Sequence, residues 1–244
     1  MIVFISGTGT GIGKTYINMR LNALLIERNL NIISIKPIET GVDSNNTPRD
    51  ALLHAQNQST KKDISEICFY TFALPAAPFV ADSQGIIDLD FLKNKIRALE
   101  KQCDILMIEG AGGLFVPIKK DYFFIDLIKD LGCESLESLE SKGKSGESKA
   151  ESKSLESPES KFHKPRKCLC VLISNDKLGC IDAILSHTEA LERRNIDFIS
   201  IVNVFDEAQF LQVSYPFLRD LKHNFVFQTQ GNEILDFITK FINS

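Results

Sequence analysis

A doubly wound α/β fold, a mostly parallel sheet flanked by helices, is the expectation for this chain of 244 residues. Short apolar runs rich in β-branched residues alternate with helix-like segments, the pattern that builds parallel sheets through right-handed crossovers. The first run, Ile2-Val3-Phe4-Ile5, passes directly into Gly7-Thr8-Gly9-Thr10-Gly11-Ile12-Gly13-Lys14-Thr15, a glycine-rich turn closed by Lys-Thr. Polar residues with chemical potential recur where the apolar runs end, which in open parallel sheets is the edge that binds ligands.

The glycine-rich turn is read as a phosphate-binding loop. Glycines let successive amides face inward, and the first turn of the following helix adds unpaired N–H donors and the positive end of its dipole. Lys14 can supply a point charge to the β- and γ-phosphates of a nucleotide, and the Thr15 hydroxyl is placed to ligate Mg²⁺. Five residues separate Gly7 from Gly13-Lys14-Thr15, one more than the usual spacing.

Behind the loop, Lys14 to Arg28 carries Ile17, Leu21, Leu24 and Leu25 at helical spacing. Asn31 to Ile35 is a strand, and Pro37 forbids its simple continuation, so Lys36 stands at a strand's carboxyl end. Ile38-Glu39-Thr40-Gly41 reads as a turn, and a polar loop follows to Pro48. The helix that includes Ala51 to Gln56 has Asp50 in its first turn, where capping accounts for a carboxylate as readily as metal binding does. His54 in the same helix reads as a structural residue.

Residues 68–81 are apolar but broken by Pro75 and Pro78, as in an ordered loop over the sheet edge. Asp88 to Lys101 is an amphipathic helix. Ile105 to Ile108 is a buried strand that ends in Glu109-Gly110-Ala111-Gly112-Gly113. An acidic residue at that tip, in a chain with a phosphate loop, suits a second Mg²⁺ contact. Phe115 to Ile118 is a short apolar segment, and Phe123 to Leu131 is a helix stopped by Gly132. Residues 134–164 repeat Glu, Ser and Lys with almost no apolar content, so they cannot offset the entropy of ordering. The expected organisation is one α/β domain over residues 1–244, interrupted by that low-complexity insertion.

Cys168 to Ile173 is a further strand, followed by a polar loop through Lys177 and a helix from Cys180 to Arg194. Phe198 to Val202 is a strand ending at Asn203, whose amide suits either a nucleobase or a loop cap. Past Asp206 the signals are a helix towards Leu221, a short strand at Phe225 to Phe227 and a terminal helix from Glu233. Lys14, Lys36, Glu109, Lys177 and Asn203 all fall at or just past strand ends.

Bulk properties narrow the function. With 43% hydrophobic residues the chain can bury a large core. A net charge of −4 with no basic cluster argues against nucleic acid as a partner. No apolar run approaches membrane-spanning length, so a soluble, cytoplasmic protein is expected. Six cysteines without a CxxC pair read as reduced thiols that mostly fill the core.

With these residues assembled, the chain resembles the ATP-dependent dethiobiotin synthetase family, whose fold is P-loop NTPase-like. Residues 7–15 are similar to the family's GTxTxxGKT loop with the same long spacing, and Lys36-Pro37-Ile38-Glu39-Thr40-Gly41 to its KPxxSG segment. Arg49-Asp50-Ala51-Leu52, Glu109 to Gly113 and Lys177-Leu178-Gly179-Cys180-Ile181 complete the series. The similarity covers about residues 1–133 and 166–205. It implies a cyclo-ligase that takes 7,8-diaminopelargonate, CO₂ and ATP, and closes a ureido ring through a phosphorylated carbamate. It further implies Lys14, Lys36 and Thr10 as catalytic residues, with Thr15, Asp50 and Glu109 holding Mg²⁺. The nucleotide would lie against Gly11, Ile12, Gly13, Lys14 and Thr15. Asp50, Glu109, Gly110, Ala111, Gly112 and Asn203 complete that set. Thr40, Lys36 and Gly113 would hold the substrate, in a homodimer whose contact runs through the Cys180 helix.

The chain departs from the family at Gly11, where many relatives carry an acidic residue, and at Asp182, where Asn is common. The Gly-Glu-Ile-Pro strand end that helps enclose adenine is missing after Asn203. Two other readings stay open: a nucleotide-dependent switch or partitioning ATPase of the deviant-loop type, and an amide-forming ligase of cobalamin-precursor type. The former usually carries a second lysine near the start of the loop, and positions 8–12 contain none.

Overall fold

The computed structural model describes residues 1–132 and 167–220, strand residues 225–227 and helical residues 234, 236 and 238–241. In chain order the elements up to the gap are β1 (Ile2–Gly7), α1 (Lys14–Glu27), β2 (Ile32–Ile35), β3 (Ile38–Thr40), α2 (Arg49–Gln56), α3 (Ile64–Ile67), β4 (Tyr70–Phe72), α4 (Pro78–Ala81), α5 (Leu89–Glu100), β5 (Ile105–Glu109), β6 (Pro117–Lys119), β7 (Tyr122–Phe123) and α6 (Phe124–Asp130). Beyond it come β8 (Cys168–Asn175), α7 (Cys180–Glu192), β9 (Phe198–Asn203), α8 (Glu207–Val213), α9 (Tyr215–Arg219) and β10 (Phe225–Phe227). The insertion expected at 134–164 lies outside the described residues.

Six strands form one parallel sheet in the order β10-β9-β8-β1-β5-β2. β1 lies between β5 and β8, in register Ile5↔Glu109 on one side and Gly7↔Ile173 on the other. Its residues are buried throughout, which is why it reads as a continuous apolar run. Alternation still decides the faces. Ile2 and Phe4 join one core cluster with Leu92 and Ile96 of α5 and Ile125 and Ile128 of α6. Val3 and Ile5 join the other with Ile17, Leu21 and Leu25 of α1. Each such aliphatic side chain contributes about 1.5–3 kcal/mol on burial, and together they fix the first turn of α1 against the end of β1. From β1 the chain lays β2 and β5 on one side and β8, β9 and β10 on the other, and this reversal opens a crevice at the carboxyl edge.

Four expectations need correction. Ile38 to Gly41 is not a simple turn, because β3 pairs in parallel with β4. The segment 68–81 is correspondingly not all loop, since it contains β4 and the short α4. Three-residue strands are too short for alternation to reveal them. The helix towards Leu221 is two helices, α8 and α9, meeting at Ser214 with Pro216 in the first turn of the second. Finally, Cys68, Cys103, Cys170 and Cys180 are free, but Cys168 is disulfide-bonded. Linear spacing does not show which thiols a fold brings together.

Candidate active site

The loop after β1 is tied down at both ends. Thr8 N donates to Ile173 O at 2.8 Å, and Asn203 Nδ2 donates to Ile12 O at 2.9 Å. Gly13 sits in the left-handed region, φ 94°, and a Cβ there would run into the Asn203 amide. Glycine is thus required at Gly13 both by backbone conformation and by space. Asn203 therefore props the loop from beneath; it is buried and does not line the cleft described below.

Lys14 opens α1, is 7% exposed, and donates from Nζ to Gly9 O at 2.7 Å. Burial pulls its ammonium down to about 8, with Glu109 opposing and Lys36 adding to the fall. The lysine is folded back on its own loop, where an incoming phosphate can take it over from a carbonyl.

Lys36 follows the last residue of β2 and is 6% exposed. Its ammonium lies between two carboxylates: it bonds Asp50 Oδ2 from α2, and Glu109 Oε1 at 2.8 Å at the tip of β5. Burial works against its charge, but Glu109 and Asp50 outweigh burial and hold Lys36 above the ordinary lysine value. Glu109 is 1% exposed. Burial pushes its carboxyl up, yet Lys36 first and His54 second hold it well below the usual carboxylate range. Thr15 Oγ1 donates to the same Glu109 Oε1 at 2.9 Å. Asp50 and Glu109 thus put two carboxylates around a cation, here an ammonium, and the Thr15 hydroxyl joins them through Glu109. An all-oxygen donor set of this kind fits Mg²⁺.

Two residues of this site escaped the sequence reading. Glu39, in β3, accepts from Asp50 N at 3.0 Å and from Ala51 N at 2.9 Å. It caps α2 from outside the helix, so Asp50 is free of capping and turns to Lys36. The second is His54, fully buried, with Nε2 3.0 Å from Glu109 Oε2 and Nδ1 2.7 Å from Ser34 Oγ. A histidine four residues after an aspartate on one helix was the only available signal, since such a pair shares a helix face.

A cleft of about 590 Å³ gathers most of the expected residues: Thr10, Gly11, Gly13, Lys14 and Thr15 of the loop, Lys36 and Thr40, Asp50, Glu109, Ala111 and Gly112. Pro75 to Pro78 and Val116 add an apolar wall. Ile12, Gly110 and Gly113 stand outside the lining. Ile12 packs in the core; a Cβ on Gly110 would meet the Phe4 ring at 3.1 Å, and one on Gly113 would meet Gly7 O at 2.9 Å. Lys177 is exposed, with Nζ 5.8 Å from the centre of the Phe205 ring, and takes no part in the cleft.

Comparison with known proteins bears on this geometry. A family model described as an AAA domain matches residues 2–136. A protein named ATP-dependent dethiobiotin synthetase BioD from Sulfurovum sp. (strain NBC37-1) is 34% identical over 88% of each chain. Another of that name from Wolinella succinogenes is 35% identical, over 89% of this chain and 88% of its own. The chain belongs to the dethiobiotin synthetase family. Among solved structures, a plasmid partition protein from Borrelia burgdorferi covers 98% of this chain and 97% of its own, with TM-score 0.51 and 8% identity. That likeness shows the fold alone. In this dethiobiotin synthetase family member the span matched by the family model includes the phosphate loop, Lys36, Asp50 and Glu109, which line the cleft.

Proposed function

We propose that the cleft closes the ureido ring of dethiobiotin from 7,8-diaminopelargonate, CO₂ and ATP, the reaction that the family resemblance implies. The observation that carries the reading is the meeting of Lys14, Lys36, Thr15, Asp50 and Glu109 at one sheet edge. One substrate amine takes up CO₂ as a carbamate. A carbamate oxygen then attacks the γ-phosphate, releasing ADP, and the second amine displaces phosphate to close the ring. Carbamate and triphosphate are both anionic, so they approach each other only where cations lie between them. Lys14 holds the phosphate side, and Lys36 the carbamate side once it leaves the carboxylates.

Thr10 and Thr40 are hydroxyl partners at the cleft mouth for the carbamate or the amino groups. The wall of Pro75, Ala76, Ala77, Pro78 and Val116 suits the methylene chain of the diamino acid. Thr15, Asp50 and Glu109 are the residues that would hold Mg²⁺, which would supply neutralisation of the charge on the transferring phosphoryl group. The protein is further read as one α/β domain with an insertion, as cytoplasmic, and as a homodimer whose contact involves α7. Among the described residues no helix is long and apolar enough to cross a membrane.

The deciding experiment mixes purified protein with the diamine, bicarbonate and Mg-ATP and looks by mass spectrometry for the ureido product together with stoichiometric ADP. ATP hydrolysis without ring closure would overturn the assignment.

A further inference from the structure

We infer that His54 is a positioning residue for Glu109, holding one carboxylate oxygen from behind so that the other stays turned to Thr15 and the cleft. The inference rests on the reading of Glu109 as a metal ligand given above. The two oxygens of Glu109 have separate duties. Oε1 accepts from Thr15 Oγ1 at 2.9 Å and Lys36 Nζ at 2.8 Å, whereas Oε2 faces His54 Nε2 at 3.0 Å.

A ring nitrogen that faces a carboxylate donates, so Nε2 carries a proton towards Glu109, and Nδ1 faces the other way. Its partners are the Ser34 hydroxyl at 2.7 Å and the Asn18 amide at 3.4 Å. Asn18, Ser34 and His54 come from α1, β2 and α2, and all three are 0% exposed. Packing does not require them, because an apolar residue could fill the same space without a chain of polar contacts. The chain ends on the one carboxylate that is shared with the loop. Rotating Glu109 would strand both its inner oxygen and the imidazole N–H in a buried setting. Groups that orient a metal ligand from behind are typically worth 10–100-fold in metal affinity.

The test titrates Mg²⁺ while following the binding of a fluorescent ATP analogue, with the Mg²⁺ needed for half-maximal turnover as a second readout. His54→Leu is expected to raise both by about 10–100-fold, with the KM for the diamine little changed. His54→Gln, whose amide N–H can reach Oε2, recovers a large part of the loss. Ser34→Ala, which removes a hydroxyl two contacts from the cleft, shifts the titration by about fivefold, the loss of one ordinary hydrogen bond.

A merely structural histidine lowers the Tm of both His54 variants and leaves the Mg²⁺ titration where it was. A folded His54→Leu that needs no more Mg²⁺ than the parent overturns the inference. If neither His54 variant folds, an unmoved titration in Ser34→Ala overturns it equally. Glu109→Ala is the reference: if it shifts the titration and His54→Leu does not, only the role of His54 falls. If Glu109→Ala leaves the titration unmoved, the metal reading and the inference fall together.

Discussion

Lys36 is a buried cation whose two partners are unequal. Glu109 is almost inaccessible, while the side chain of Asp50 is 38% exposed, so solvent screens the second contact and the first dominates. Replacing Lys36 by Ala leaves Glu109 with only hydrogen-bonding partners, and stability should drop by about 3 kcal/mol, visible in urea unfolding, with the fold retained. Ring closure should cease, because nothing else at the end of β2 offsets the carbamate charge. Near-normal product formation in Lys36→Ala would make it a lysine of purely structural value. Lys14 has the opposite displacement. Its folded value of about 8 lies below the ordinary 10.5, so between those values the folded state binds fewer protons than the unfolded one, and this group's contribution to stability rises with pH. Phosphate binding needs the charged form. Affinity for nucleotide in metal-free buffer should therefore fall as pH rises through about 8, and Lys14→Met should bind weakly with no such fall. An equal pH dependence in both proteins would assign the titration elsewhere.

Helix α2 shows how a short element acquires a fixed position. It has eight residues and no side-chain cap of its own, so as an isolated helix it would be marginal. Glu39 supplies the missing cap through two backbone amides while remaining largely buried, and burial, opposed by those amides, raises its carboxyl above the ordinary value. Glu39→Ala should cost about 1–2 kcal/mol and let Asp50 drift from Lys36, lowering kcat by on the order of tenfold, since small misplacements of charged groups are expensive in rate. Wild-type kcat at a lowered Tm would show that Asp50 is held by other means. The phosphate loop, Lys36 and Glu109 were legible in the linear sequence because each is set by a local pattern: an apolar run followed at once by a polar tip. Glu39 and His54 were not, because their partners are 11 and 55 residues away and only the folded sheet brings them together. The same holds for the contact of Asn203, whose amide meets Ile12 at a separation of 191 residues. The β3–β4 pair was hidden for another reason, being too short to show alternation.

The sheet has a working edge and a quiet one, and β8 starts at the quiet one. All six strands are parallel, so the cleft at the end of β1, β2 and β5 is separated from the starts of those strands by their full length. For the six residues of β1 that is about 20 Å. β8 begins with Cys168 beside Ile2, which places the return of the chain after residue 166 at the amino edge. The carboxyl end of β8 is the one that reaches the loop, through Ile173 and Thr8. Residues 134–164 carry almost no apolar side chains, and residue 167, where the described chain resumes, leads into the end of β8 that is remote from Lys14, Lys36 and Glu109. Replacing 134–164 by a short Gly/Ser linker should therefore leave turnover within about twofold of the parent, the range of ordinary surface changes, and leave the sedimentation behaviour of the proposed dimer unaltered apart from mass. A replacement that retains its circular dichroism but loses ring closure, or dissociates to monomers, would mean that the stretch reaches round to the working edge or to α7.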